Sequence, residues 1–402
     1  MALNVKVGLI GVLDMLKFKN MAKVREQAIQ AAPAKEIKGD FAINNNAKLL
    51  HPDHQKLVVS EIIDHPGAGA KTFVFQSAEG KPLAYFRAGQ YLSLKLQIGE
   101  SFVTRPYSIS SSPQWTLEGK VAITVRTNPG GFVADWLLEN LKVGDKVIAS
   151  GGEGQFYYEG LRDAKNVVAL AGGSGITPFL SMAYAIRDGI EDFNLTIIFG
   201  SRTEENILFR QELDAICAAC DKVKVVHVLS DEEKEGFEHG FITAELIQKY
   251  AKDPYSVFIC GPEAMYRFVS GEIDKLGLPG KNVRREMLGV TKKVWEQEGY
   301  PAECKDKTFR LTIHQGPKEW VVDASANEPI LVAIERAGVA APSRCRSGEC
   351  GWCRSKLVSG QYFTPAENEG RRHSDVVNDY IHPCCTFALS DLVIEVPGEY
   401  LK

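Results

Sequence analysis

The chain has 402 residues, enough for two or three domains at roughly 150 residues each. Apolar residues make up 45% and charged residues 24%, which excludes a disordered or fibrous chain, and a formal net charge of -4 argues against a nucleic-acid partner. Nine cysteines, an odd number in a long chain, read as thiols in a reducing compartment rather than as a disulfide framework.

Asp14 to Ala32 has helical apolar spacing through Met15, Met21, Val24, Ala28 and Ile29, and Pro33 stops it. The beginning does not read as a signal peptide, because the short apolar run from Val7 to Leu13 meets Asp14, Lys17 and Lys19. An irregular stretch is expected around Asn44, Asn45 and Asn46, and His51 and His54 read as a loop before a strand. Residues 1–54 are thus a helical extension.

From Lys56 the texture turns β, with short runs at Leu57–Val59, Thr72–Phe75, Tyr91–Leu96 and Val121–Val125, punctuated by Gly, Pro and Ser. One helical segment, Phe132 to Leu141, interrupts them. About six strands at close spacing predict an antiparallel β-barrel over residues 55–160.

From Lys165 the apolar runs become continuous, at Val167–Leu170, Leu195–Phe199, Val223–Leu229 and Val257–Ile259, as in strands buried on both faces. Helical segments such as Phe209–Cys220 and Glu263–Leu276 alternate with them, which predicts an α/β parallel-sheet domain over residues 161–290. The uncharged run from Val167 to Ile186 is long enough to raise a membrane span. Its glycines and Pro178 fit a nucleotide loop better, so the chain reads as soluble and cytoplasmic. Residues 291–307 read as a charged linker, and 308–402 as an α+β domain with one helix, Pro329–Ala337.

Each domain carries a chemical signal. Arg105, Pro106, Tyr107 and Ser108 follow a β run: a guanidinium for phosphate, a ring for a flat π-system and a hydroxyl for its edge. Gly130, Gly131, Phe132 and Val133, after Pro129, place glycines at a helix start, a natural pyrophosphate seat. Gly172, Gly173, Gly175 and Thr177 follow a buried strand and open a helix, by the same logic. Cys260, Gly261 and Pro262 close another buried strand.

Cys345, Cys350 and Cys353 have the C-x4-C-x2-C spacing of plant-type [2Fe–2S] loops, with Cys384 or Cys385 further on. Gly348 and Gly351 let the backbone wrap closely. Zinc is the rival, although zinc sites usually pair two short hooks. Cys217 and Cys220 read as packing, and no Cys-x-x-Cys-His haem attachment or Rieske-type Cys-x-His pair is present.

Residues 308–402 resemble the plant-type ferredoxin domain, an α+β β-grasp fold, and the register of the Cys384–Asp391 tail implies Cys384 as the fourth ligand. The earlier motifs, in this order, resemble the ferredoxin–NADP reductase superfamily. That resemblance implies FAD on the barrel, with Arg105 at its pyrophosphate, Tyr107 over its ring and Ser108 near its reactive nitrogen. It implies Cys260 beside the nicotinamide. Ala134 stands where many members carry serine. Asp231, with Glu232 and Glu233, occupies the place of an arginine that holds the NADPH phosphate, which implies NADH, while Arg202 keeps NADPH open. The implied activity is an NADH-dependent reductase passing electrons through FAD and a [2Fe–2S] cluster to a partner redox protein, an oxygenase or a reductase component. The alternative is a relay subunit or redox sensor. Arg344, Arg346, Arg354, Arg371 and Arg372 are expected to form either a basic docking rim or local hydrogen bonds.

Overall fold

The computed structural model describes residues 9–32, 41–127, 130–286, 289–290 and 292–398. Val7, Pro33 and Pro129 lie outside them. Residues 1–47 form a unit separate from residues 48–402. Helix α1 (Leu9–Ala31) exposes Met21, Val24 and Ile29 of the expected apolar face. Helix α2 (Ala42–Leu50) replaces the irregular stretch expected there. The Phe41 carbonyl accepts from the Asn44 and Asn45 amides at 2.9 and 3.0 Å, which closes the first turn. Each asparagine costs at most about 0.7 kcal/mol in a helix, and the alanines and leucines around them offset it.

The next six strands form one antiparallel sheet. They are β1 (Gln55–His65), β2 (Ala70–Ser77), β3 (Tyr91–Ile98), β4 (Ser101–Ser108), β5 (Lys120–Arg126) and β6 (Lys146–Ala149), in the order β4-β3-β6-β1-β2-β5. An isolated bridge between Ile109 and Ile123 joins the two end strands, so the sheet closes as a barrel. Leu57, Phe73, Phe75, Leu94 and Ile123 fill it, and Leu137 of α3 (Phe132–Asn140) plugs one end. The alternating runs in the sequence are the two faces of these strands.

A parallel sheet follows. Its strands are β7 (Asn166–Gly172), β8 (Asn194–Ser201), β9 (Val223–Leu229), β10 (Glu238–His239), β11 (Tyr255–Cys260) and β12 (Val283–Arg285), in the order β10-β9-β8-β7-β11-β12. Helices α4 (Thr177–Arg187), α5 (Arg210–Ala219), α6 (Ala244–Tyr250) and α7 (Glu263–Asp274) connect them. Separate clusters pack on the two faces, around Phe179 and Leu213 on one and Ile247 and Val269 on the other. Burial on both faces explains the unbroken apolar runs. Strand order reverses between β7 and β11, so the loops after these two strands open side by side. No helix among the described residues is long and apolar enough to cross a membrane.

Residues 292–307 are packed: Val294, Tyr300 and Cys304 are buried against Ala326 and Phe387. The last sheet is mixed. Strands β13 (Thr308–Gln315), β14 (Lys318–Ser325), β15 (Ser355–Ser359), β17 (Tyr380–Ile381) and β19 (Leu392–Glu395) take the order β14-β13-β19-β15-β17, with β13 and β19 parallel. Strands β16 (Tyr362–Phe363) and β18 (Phe387–Ala388) form a separate pair. Helix α8 (Ile330–Arg336) covers the sheet through Ile330, Leu331 and Ile334, and α9 (His373–Val377) precedes β17.

Candidate functional site

The reversal point of the parallel sheet carries the glycine loop. Ala171 pairs with Cys260 across β7 and β11. A Cβ on Gly175 would run into the carbonyl oxygen of Cys260, and one on Gly172 into the Met265 sulfur, so only glycine lets the loops meet. Gly173 takes φ +54. The Thr177 hydroxyl donates to the Ser174 carbonyl at 3.0 Å and starts α4, whose first-turn amides suit a phosphate. Pro262 caps α7, and Gly261 packs on Met265. Arg126, at the end of β5, lays its guanidinium against Gly173. No motif in the sequence marks it, though it lies four residues before Gly130 of the barrel's glycine motif.

On the barrel side, Arg105, Pro106, Tyr107 and Ser108 end β4. The Ser108 hydroxyl lies 3.5 Å from Glu286, whose amide bonds to the Ile259 carbonyl at 3.1 Å. Burial pushes the Glu286 carboxyl well above the usual carboxylate range, and the Glu349 charge adds to it. Burial likewise raises the Cys260 thiol, with Glu286 beside it. Ser108, Cys260 and Glu286, from three distant segments, therefore form one buried cluster whose surroundings favour the neutral forms of the thiol and the carboxyl. Glu286 carries no local motif, and only the fold reveals it.

Gly130 takes φ +77 and Gly131 caps α3. The Gly131 amide donates to Asp135 at 3.1 Å, while those of Phe132 and Val133 have no intrahelical acceptor. Phe132 is exposed and Val133 buried. Asp231 forms an ion pair with Arg202 at 2.8 Å. The Ser230 hydroxyl and then Arg202 hold its carboxyl below the usual range.

In the cysteine loop, Cys345, Cys353 and Cys384 are buried and Cys350 is half-buried. Amides of Ser347 and Cys350 point at the Cys345 sulfur, at 3.5 and 3.4 Å, contacts that would tune a thiolate on iron. Gly348 and Gly351 take φ +92 and +74. The Cys384 thiol lies within hydrogen-bonding reach of Cys345 and Cys353. The Cys385 thiol, also within reach of Cys384, donates to the carbonyls of Asn368 and His382, at 3.5 and 3.4 Å. Tyr91 of β3 lies beside Cys345 and Cys350, so the barrel reaches the loop.

The five arginines around this loop do not make a rim. Arg346 and Arg371 are about 90% buried and paired with Glu335 and Glu369. Arg344 is equally buried, ion-paired to Glu153 and stacked on Trp352 at 3.5 Å from the ring centroid. Arg354 is exposed and pairs with Asp375 at 2.9 Å, and Arg372 is exposed. Cys217 and Cys220 pack partly buried against the nucleotide-domain core.

Three family models match in the order of these sites. They are the oxidoreductase FAD-binding domain at residues 60–158, the oxidoreductase NAD-binding domain at 169–271 and the 2Fe-2S iron-sulfur cluster binding domain at 313–389. The chain is 28% identical over 340 residues to the glycine betaine monooxygenase reductase subunit of Chromohalobacter salexigens, covering 81% of this chain and 91% of that protein. It is 27% identical over 311 residues to the NADH oxidoreductase HCR of Escherichia coli, covering 77% and 88%. The solved structure of phthalate dioxygenase reductase shares its fold, with a TM-score of 0.62 at 24% identity, over 85% of this chain and 98% of that one.

Proposed function

From a chain that belongs, domain by domain, to the FAD-binding, NAD-binding and 2Fe-2S families, we infer an NADH-dependent reductase that feeds a partner redox enzyme such as an oxygenase. The observation that carries this reading is the meeting of two sites in one body. The Ser108–Cys260–Glu286 cluster and the cysteine loop both adjoin the barrel strands β3 and β4.

When bound, FAD supplies the conversion of a two-electron hydride from NADH into single electrons, and the [2Fe–2S] cluster relays them outward. Arg105, Tyr107 and Ser108 would hold the flavin, with Gly130, Gly131, Phe132 and Val133 at its phosphates. Gly172, Gly173, Gly175 and Thr177 would seat the nucleotide pyrophosphate, with Arg126 adding charge. Cys260, Gly261 and Pro262 would line the nicotinamide. Burial favours the protonated form of the Glu286 carboxyl next to the Ser108 hydroxyl, where it would hold a proton. Asp231, by engaging Arg202, favours NADH over NADPH. Cys345, Cys350, Cys353 and Cys384 would hold the cluster, and the inward turn of Cys384 supports that register. We place the domains at residues 55–160, 161–290 and 308–402, and the protein in the cytoplasm.

One experiment tests site and function together: anaerobic NADH oxidation with a one-electron dye, alongside visible absorption. Wild type should reduce the dye and show flavin and cluster bands. Cys384→Ser should lose the cluster bands and keep the flavin; Cys385→Ser should keep both. The reverse pattern would overturn the ligand register. Wild type with bound flavin but no dye reduction would favour a passive relay subunit.

A further inference from the structure

Arg105 of the flavin motif does not stand alone. Its guanidinium grips Glu335 of α8 in two-pronged fashion, Nη1 to Oε1 at 3.0 Å and Nη2 to Oε2 at 3.2 Å. Arg346, next to Cys345, donates to the same carboxylate at 2.7 Å. The Glu335 side chain is 5% exposed. One acid in the ferredoxin-like domain thus joins the barrel to the cysteine loop. Arg346 takes φ +62, a left-handed backbone that a non-glycine residue keeps only where contacts enforce it. On the other side of Cys345, Arg344 is bound to Glu153 of the barrel. The first cysteine of the loop is therefore fixed to the barrel from both neighbours.

A buried ion pair is weak evidence for stability, because an apolar replacement is often as stable; its better-attested use is to fix one arrangement among several. Two guanidiniums also share one carboxylate, which leaves a positive charge on the barrel side for a pyrophosphate.

We propose that Glu335 is a positioning residue for electron transfer from flavin to cluster: by holding Arg105 and Arg346 with one carboxylate, it fixes the cluster loop against the flavin barrel. This rests on the reading that Arg105 lies at FAD and that the cysteine loop holds the cluster. Glu335 acts through Arg105 and Arg346, so its effect belongs to the step between the two sites.

The test is anaerobic stopped-flow reduction of the holoprotein by NADH, following flavin bleaching and cluster reduction separately, with amide hydrogen exchange over residues 343–352 as a second readout. Glu335→Gln should leave flavin bleaching within about twofold and slow cluster reduction about tenfold or more, since small misplacements cost that much. It should also speed exchange in the loop. Arg346→Lys, which keeps the charge and loses the fork, should show the same split more weakly. Unchanged cluster reduction and exchange would overturn the proposal. So would equal loss of both phases with loss of bound FAD, which would mark Glu335 as part of flavin binding. Wild type without flavin and cluster bands would overturn the underlying reading, and the proposal with it.

Discussion

Asp231 and Arg202 neutralise each other, and in the function proposed above this pair faces the nucleotide ribose and sets the cofactor preference. A carboxylate there repels a 2′-phosphate and occupies the guanidinium that could bind one. Asp231→Ser should free Arg202 and raise the NADPH-to-NADH ratio of kcat/KM by about tenfold, the low end for a charge-assisted hydrogen bond because both side chains are solvated. An unchanged ratio in steady-state kinetics would show that neither residue reads the ribose. At this scale the sequence is legible where chemistry is local. The cysteine spacing and the glycine loops announce themselves within a few residues. Glu286 does not, because its partner Ser108 is 178 residues away, and nothing next to it marks a buried acid. Glu335 is hidden in the same way, 230 residues from Arg105.

Elements were more readable than single contacts. The period-two runs became the barrel strands and the unbroken runs the parallel sheet, because each pattern records which faces are buried. Helix α2 was misread because three asparagines suggest a turn, while the alanines and leucines around them decide the outcome. The limits of an element also say what it tolerates. Gly175→Ala would drive a methyl into the backbone of Cys260, which cannot move without shifting β11. It should cost about 1–3 kcal/mol and weaken NADH binding. Gly271, inside α7, has nothing within 4 Å of an added Cβ, so Gly271→Ala should raise stability by about 0.5–1 kcal/mol and leave NADH affinity alone. Thermal melts with NADH titration distinguish the two; equal effects would show that the loop is not the crossing point described.

For the whole molecule, three of the five arginines near the cluster face inward rather than outward. Arg344, Arg346 and Arg371 join parts of the same chain, so they contribute little to long-range steering. Electron delivery to the physiological partner should therefore change less than about threefold between about 0.05 and 0.5 M salt. A steep fall would show that other surface charges guide docking. The C-terminal sheet has one more consequence. Its central strand, β19, sits between β13 and β15 and follows both in the chain. During synthesis all four candidate ligand thiols leave the ribosome before Leu392–Glu395 does, so the sheet that shelters them closes last. Until β19 inserts between β13 and β15 the floor beneath the cysteine loop is incomplete, so the enclosure of the sulfurs depends on the latest strand of the sheet.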